Sequence, residues 1–300
     1  MTTTRRAPAT GSRTAMGGGG ARTGSRSGGA LLAPAVVLVL VVLGVALSSM
    51  ALTSLGLLPL VGEPTLTGAA FGQVRGELLL GAGESLLIAT ASTVLAVLVG
   101  VPAALLLAHA GATRRLLGAL TATVLPVPHL IGAASIGLLL SGGGVLPRWL
   151  GVPADAWPEL VGGSLPVAIV LELAWKESAF IALVVAASLS AQLRALSEAA
   201  AMLGAGPGQR LRRVTLPLAA PATLAGATIV FLYTLGSYEV AWLLGRAYPD
   251  PLPVLAYRLF TSIDLADRPQ AAAVALSTIT VAVVVAALAA MVLRRLGAAR

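Results

Sequence analysis

Residues 198–217 read EAAAMLGAGPGQRLRRVTLP. Glu198, Ala199, Ala200, Ala201, Met202 and Leu203 are strong helix formers, so the stretch opens as helix. Gly204, Gly206, Pro207 and Gly208 then predict a turn, because glycine accepts a left-handed backbone and proline cannot extend the helix before it. A second short helix is expected over Gln209–Val214, and Pro217 suits the first turn of the next helix, where its missing N–H is not needed. A helix-turn-helix with a small alanine face is suited to docking in a groove of another protein. The alternative, an ordinary basic loop, leaves the ordered spacing unexplained.

Outward from this stretch the chain is strongly apolar. Of its 300 residues 57% are hydrophobic and only 11% charged, and the mean hydropathy is +0.92; soluble domains carry about a quarter charged residues. Six apolar segments fall at about 31–51, 84–108, 118–141, 165–188, 218–244 and 269–293, each near the roughly 20 residues a helix needs to cross the bilayer. They lack the alternation of barrel strands, and lipid-embedded backbone must satisfy its own hydrogen bonds. The expected fold is therefore all-α, a polytopic transmembrane helical bundle of about six spans occupying 31–300, with its longest loop at about 189–217. Residues 1–30, with the run Gly17–Gly20 and five arginines, read as a disordered tail. The first apolar run exceeds the roughly 7–15 residues of a signal-peptide core, which favours a retained helix.

Arginine counting predicts orientation. The tail, the 109–117 turn, the 189–217 loop and the C-terminal end hold 14 basic residues against one acid, Glu198. The other side holds Arg75, Arg148, Arg246, Arg258 and Arg268 against Glu63, Glu77, Glu84, Asp155, Glu159, Asp250, Asp264 and Asp267. The positive-inside rule then places both termini and the 189–217 loop in the cytoplasm.

Composition also excludes functions. Lys176, the only lysine, lies between Trp175 and Glu177, so there is no Gly-Lys-Ser/Thr step for binding nucleotide phosphates. No cysteine and only two histidines, His109 and His129, exclude thiol chemistry and multi-histidine metal sites. No catalytic residue, cofactor or metal is expected. The net charge of +8 is accounted for by topology rather than nucleic acid, since aromatics are only 4%.

At Glu198, Ala199, Ala200 and Gly204, followed after nine residues by Val214, Thr215, Leu216 and Pro217, the chain resembles the permease subunits of type I binding-protein-dependent ABC importers. Their signature is Glu-Ala-Ala, three residues, Gly, nine residues, then Ile-x-Leu-Pro; valine at 214 is the one departure. The resemblance implies the type I permease fold in the cytoplasmic membrane, with no covalent chemistry of its own. It makes Glu198, Ala199, Ala200, Gly204, Leu216 and Pro217 a coupling element seated in a cytoplasmic ATPase subunit. It also implies a second permease subunit, identical or not, and a binding protein outside.

Spacing supplies a separate set of candidates. Glu172, Lys176, Glu177 and Glu239 lie within spans, where ionisable side chains tend to face the bundle interior or a water-filled path. Glu172 and Lys176 are four apart in the order favouring a helical ion pair. Glu172, Lys176 and Glu239 are thus candidates for the pathway, and the alternative is a structural pair plus an acid near the headgroups. The net −2 in the spans leans toward a cationic or polar solute. The segment FLYTLGSYEV around Glu239 resembles the polyamine, iron, thiamine and sulfate branch. His129, beside Pro126 and Pro128, reads as packing at a bent helix, with a proton relay as the alternative. Trp149, Trp157 and Trp242 fit an interfacial belt, and Tyr248–Asp267 is either a binding-protein contact or a plain loop. A secondary transporter would show an internal repeat, and none is evident. An intramembrane hydrolase would use a serine such as Ser135 or Ser178, neither of which has a Gly-x-Ser-x-Gly setting.

Overall fold

The computed structural model describes residues 24–108, 112–189 and 193–298, and every regular element in them is helical. The first helix, α1, runs Gly24–Ser54. It begins seven residues before the expected apolar segment; the rest of the expected tail lies outside the described residues. Up to Leu47 it belongs to one unit, and the chain from Ser48 forms a second.

The second unit is built on α3 (Arg75–Leu107), which follows the short α2 (Ala69–Gln73). Next come α4 (Ala112–Val124), α5 (His129–Leu140), α6 (Val145–Leu150) and α7 (Val167–Leu189). Then follow α8 (Leu193–Met202), α9 (Pro207–Arg210) and α10 (Leu216–Leu235). The chain ends in α11 (Glu239–Leu244), α12 (Leu252–Phe260) and α13 (Arg268–Ala298).

Close approach of α3 and α7 centres the fold. A side-chain carbon at Gly100 would lie 2.7 Å from both Ile181 Cβ and the Ser178 carbonyl oxygen, the small-residue packing that replaces hydrophobic driving force between membrane helices. Ala96, Ala104, Ile181, Val185, Leu189, Ala219 and Val230 join α3, α7 and α10 in one core. Ile88, Ala133, Ile169, Leu173, Val240 and Leu244 join α3, α5, α7 and α11 in a second. Val74, Leu252, Leu255, Leu259, Ala271 and Val274 dock α12 on α13.

By length and composition, Leu32–Ser54, Arg75–Leu107, His129–Leu150, Pro207–Leu235 and Leu265–Leu296 can cross a membrane. The sixth expected span is α7. Its 23 residues reach about 34 Å at roughly 1.5 Å each, and Glu172, Lys176 and Glu177 alone set it apart from the other five.

Three boundaries differ from expectation. The 118–141 segment breaks between Val124 and His129, because Pro126 and Pro128 lack donors and push the residues before them out of the helical region. The 218–244 segment breaks at Gly236–Tyr238, between α10 and α11. In the other direction, the expected gap before α10 is closed. Residues Leu211–Thr215 form a π turn in which the Leu216 N–H bonds to the Leu211 carbonyl, five residues back. Pro217 has no N–H for the Arg213 carbonyl and crowds it, so the turn widens instead of breaking.

Candidate functional site

The 198–217 stretch forms a rigid corner. At the end of α8 the Ala205 N–H bonds to the Ala200 carbonyl (3.0 Å) and the Gly204 N–H to Ala201 (2.9 Å), with Gly204 at φ +81°. This is a Schellman cap with glycine at its left-handed position. Gly206 then caps α9, with Pro207 in the first turn, and Arg210 reaches Ser197 Oγ at 3.5 Å. The corner presents apolar surface: Met202 is 91% and Leu203 88% exposed. Glu198, Ala199 and Leu216 are also exposed, and Ala200 is half-buried.

A second assembly lies where α5, α7 and α10 meet. Glu172 is fully buried and Lys176 nearly so, but they form no ion pair. Lys176 Nζ donates to the Val127 carbonyl, left without a helical partner by the proline break. The Glu172 carboxylate sits against the first turn of α5. Its Oε1 is 3.4 Å from His129 Nδ1, and a side-chain carbon at Gly132 would lie 2.5 Å from the same oxygen. His129 Nε2 is 3.5 Å from Glu177 Oε1, and its ring lies 5.0 Å from that of Tyr233. The expected i, i+4 pair is therefore replaced by a histidine between two acids. Glu239 opens α11 and is exposed.

Residues 96–298 match the family model described as the binding-protein-dependent transport system inner membrane component. The chain belongs to this family. It is therefore a permease subunit of an ABC importer, a multi-pass inner-membrane transport protein and not an enzyme, and a family so named works with a binding protein and an ATPase. Among curated relatives, it is 31% identical over 194 residues to a probable molybdenum ABC transporter permease protein of Haloferax volcanii, covering 64% of this chain and 68% of that one. It is 32% identical over 154 residues to the molybdenum transport system permease protein ModB of Mycobacterium tuberculosis, covering 50% of this chain and 55% of that one. In fold it is similar to a bacterial ABC transporter involved in importing the acidic polysaccharide alginate (TM-score 0.66, 19% identity, 89% of this chain and 94% of that one). The MetNI methionine transporter is also similar (TM-score 0.59, 20% identity, 75% and 98%).

In this permease the N-terminal third of α3 is stapled to the 245–260 segment. Arg246 donates to Glu84 Oε2 at 2.8 Å, and Arg258 bonds both Asp250 Oδ2 (2.7 Å) and Glu77. Burial opposes the Arg258 charge, and hydrogen bonds to Asp250 and Glu77 outweigh it, holding the guanidinium above its ordinary range. Ser85 Oγ accepts from the Leu252 N–H at 2.8 Å. Trp157 donates to the Leu140 carbonyl (2.8 Å), anchoring the end of α5, while Trp242 stacks on Tyr238 with centroids 6.2 Å apart. Sequence reasoning missed His129 as a junction and missed every pairing of the outer charges. The available signal for the junction was the proline pair beside a lone intramembrane histidine.

Proposed function

We propose that this permease forms half of a translocation pathway, pairs with a second permease subunit, and receives the ATPase stroke through the 198–217 corner. Both termini are cytoplasmic in this reading. The observation that carries it is the Schellman-capped turn with Met202 and Leu203 almost wholly exposed: large apolar side chains on a rigid, polar-flanked corner favour burial in a partner's cleft.

The substrate in this proposal is a small oxyanion of the molybdenum class, on the strength of the relatives at 31% and 32% identity. The buried intramembrane charges do not oppose it, although the net −2 of the spans leaned toward a cationic or polar solute. Glu172 and Lys176 are buried, and Glu177 is largely so, beside His129. Glu239 alone of the three pathway candidates is exposed. Sulfate, already among the expected classes, is the competing oxyanion.

Proteoliposomes containing the permease, its ATPase and its binding protein test both parts. ATP-driven molybdate uptake is expected, with sulfate and polyamines poorer substrates; preferential polyamine uptake would reject the oxyanion. Glu198→Lys and Gly204→Asp should insert normally, yet lower uptake at least tenfold while basal ATP hydrolysis persists. No atom lies within 4 Å of a side chain at Gly204, so the fold need accommodate only about 1–2 kcal/mol of left-handed strain. Undiminished uptake by both variants would remove the coupling role.

A further inference from the structure

We propose that His129 is a proton-binding clamp, closing α5 onto α7 when its imidazole carries two protons. The two ring nitrogens face two different carboxylates, Glu172 Oε1 at 3.4 Å and Glu177 Oε1 at 3.5 Å. A neutral imidazole has one donor and one acceptor, and only imidazolium donates from both nitrogens. A neutral ring therefore sets a lone pair against one of the acids. His129 Nδ1 and both Glu172 oxygens are buried without a hydrogen bond, so the group has unused bonding capacity in a place where such capacity is costly.

The surroundings give the same answer by charge. The groups facing His129 are Glu172 and Glu177 on α7 and Tyr233 on α10. Lys176 also lies on α7, with its ammonium held on the Val127 carbonyl in the α4–α5 link, and Glu239 on α11 lies near Tyr233. Counting the inner group alone, Glu172 and Glu177 contribute −2 and Lys176 +1. A protonated His129 makes the sum zero, and a neutral one leaves −1 in a low-dielectric site, where unbalanced charge is expensive. His129 keeps 18% of its side chain exposed, a route by which a proton can arrive.

The clamp sits at a joint. Residues 125–128 separate α4 from α5, and His129 is the first residue of α5. Protonation fastens that end of α5 to α7; loss of the proton releases it. Imidazole is the side chain that ordinarily changes charge between pH 5 and 8, so the joint responds to acidity.

The chain has no cysteine, so spin labels at Ile131→Cys on α5 and Leu183→Cys on α7 report the joint without background. With the labelled permease assembled with its partner subunits in lipid vesicles, the interlabel distance distribution should be narrow at pH 5.5 and broader or longer at pH 8.5. Nitrogen NMR of His129 in a His109→Asn chain should show both ring nitrogens protonated at the acid end and one at the alkaline end. His129→Gln should abolish the pH response of the distance. Glu177→Gln, a milder change at a less buried acid, should abolish it too, because zero net charge then belongs to the neutral ring. A distance independent of pH, or a response that survives in either variant, overturns the clamp whatever solute the importer carries.

Discussion

Gly132 shows how tightly one residue can be specified. A methyl group there would lie 2.5 Å from Glu172 Oε1 and 3.3 Å from Lys176 Cδ, so alanine must drive the carboxylate off His129. Gly132→Ala is expected to lower stability in detergent by about 1–3 kcal/mol, the usual penalty for overpacking. Gly83→Ala in α3, which meets nothing within 4 Å, should be neutral or stabilising, since alanine is the better helix former. Thermal unfolding of the two side by side checks the contrast. Glu172 was recognisable in the sequence as an acid within a span, but its partner was not. A residue four positions along the same helix is the partner that local spacing offers, whereas His129 lies 43 positions upstream and arrives only because the chain breaks at Pro126 and Pro128.

Among the elements, α3 and α7 depend on small residues at their crossing. At Gly100 the obstructing atoms are Ile181 Cβ and the Ser178 carbonyl, neither a flexible tip, so Gly100→Val must part the helices. At Gly226 on α10 the nearest atom is Ile181 Cδ1, at 3.0 Å, which can rotate. Gly100→Val should therefore sharply reduce the yield of monodisperse protein, and Gly226→Ala should cost little; size-exclusion profiles of the purified variants give the ranking. The spans themselves were legible because apolar length is a property of local sequence. Their interruptions were less so: proline breaks the chain at 126 and 128, but at 217 it only widens a turn. The difference lies in the hydrogen bonds and packing available around each ring, which a string of residue types does not contain.

For the whole molecule, the arginine asymmetry makes a prediction about sidedness. With no native cysteine, Met202→Cys and Ile263→Cys are unique targets at positions 91% and 101% exposed. In cells lacking the ATPase partner, a membrane-impermeant maleimide should label Ile263→Cys in intact cells and Met202→Cys only after permeabilisation; the reverse pattern inverts the topology. Charge counting carries this expectation because it needs only the side on which each loop lies. It is silent on which charges meet: Glu84 with Arg246 and Glu77 with Arg258 are 162 and 181 residues apart, joined by the folding of α3 against the 245–260 segment.

The π turn at Leu211–Thr215 has a mechanical meaning. Each residue advances an α-helix by about 100°, so the one extra residue held in a π turn offsets the azimuth of α10 from that of the arginine-bearing segment by about that amount. From Pro207 through α10 the chain is one continuous rod with a built-in phase slip. In the proposed coupling, a thrust at Met202 and Leu203 reaches α10 partly as torque, and tightening the turn to α geometry rotates every side chain of α10, Leu216–Leu235, about the helix axis.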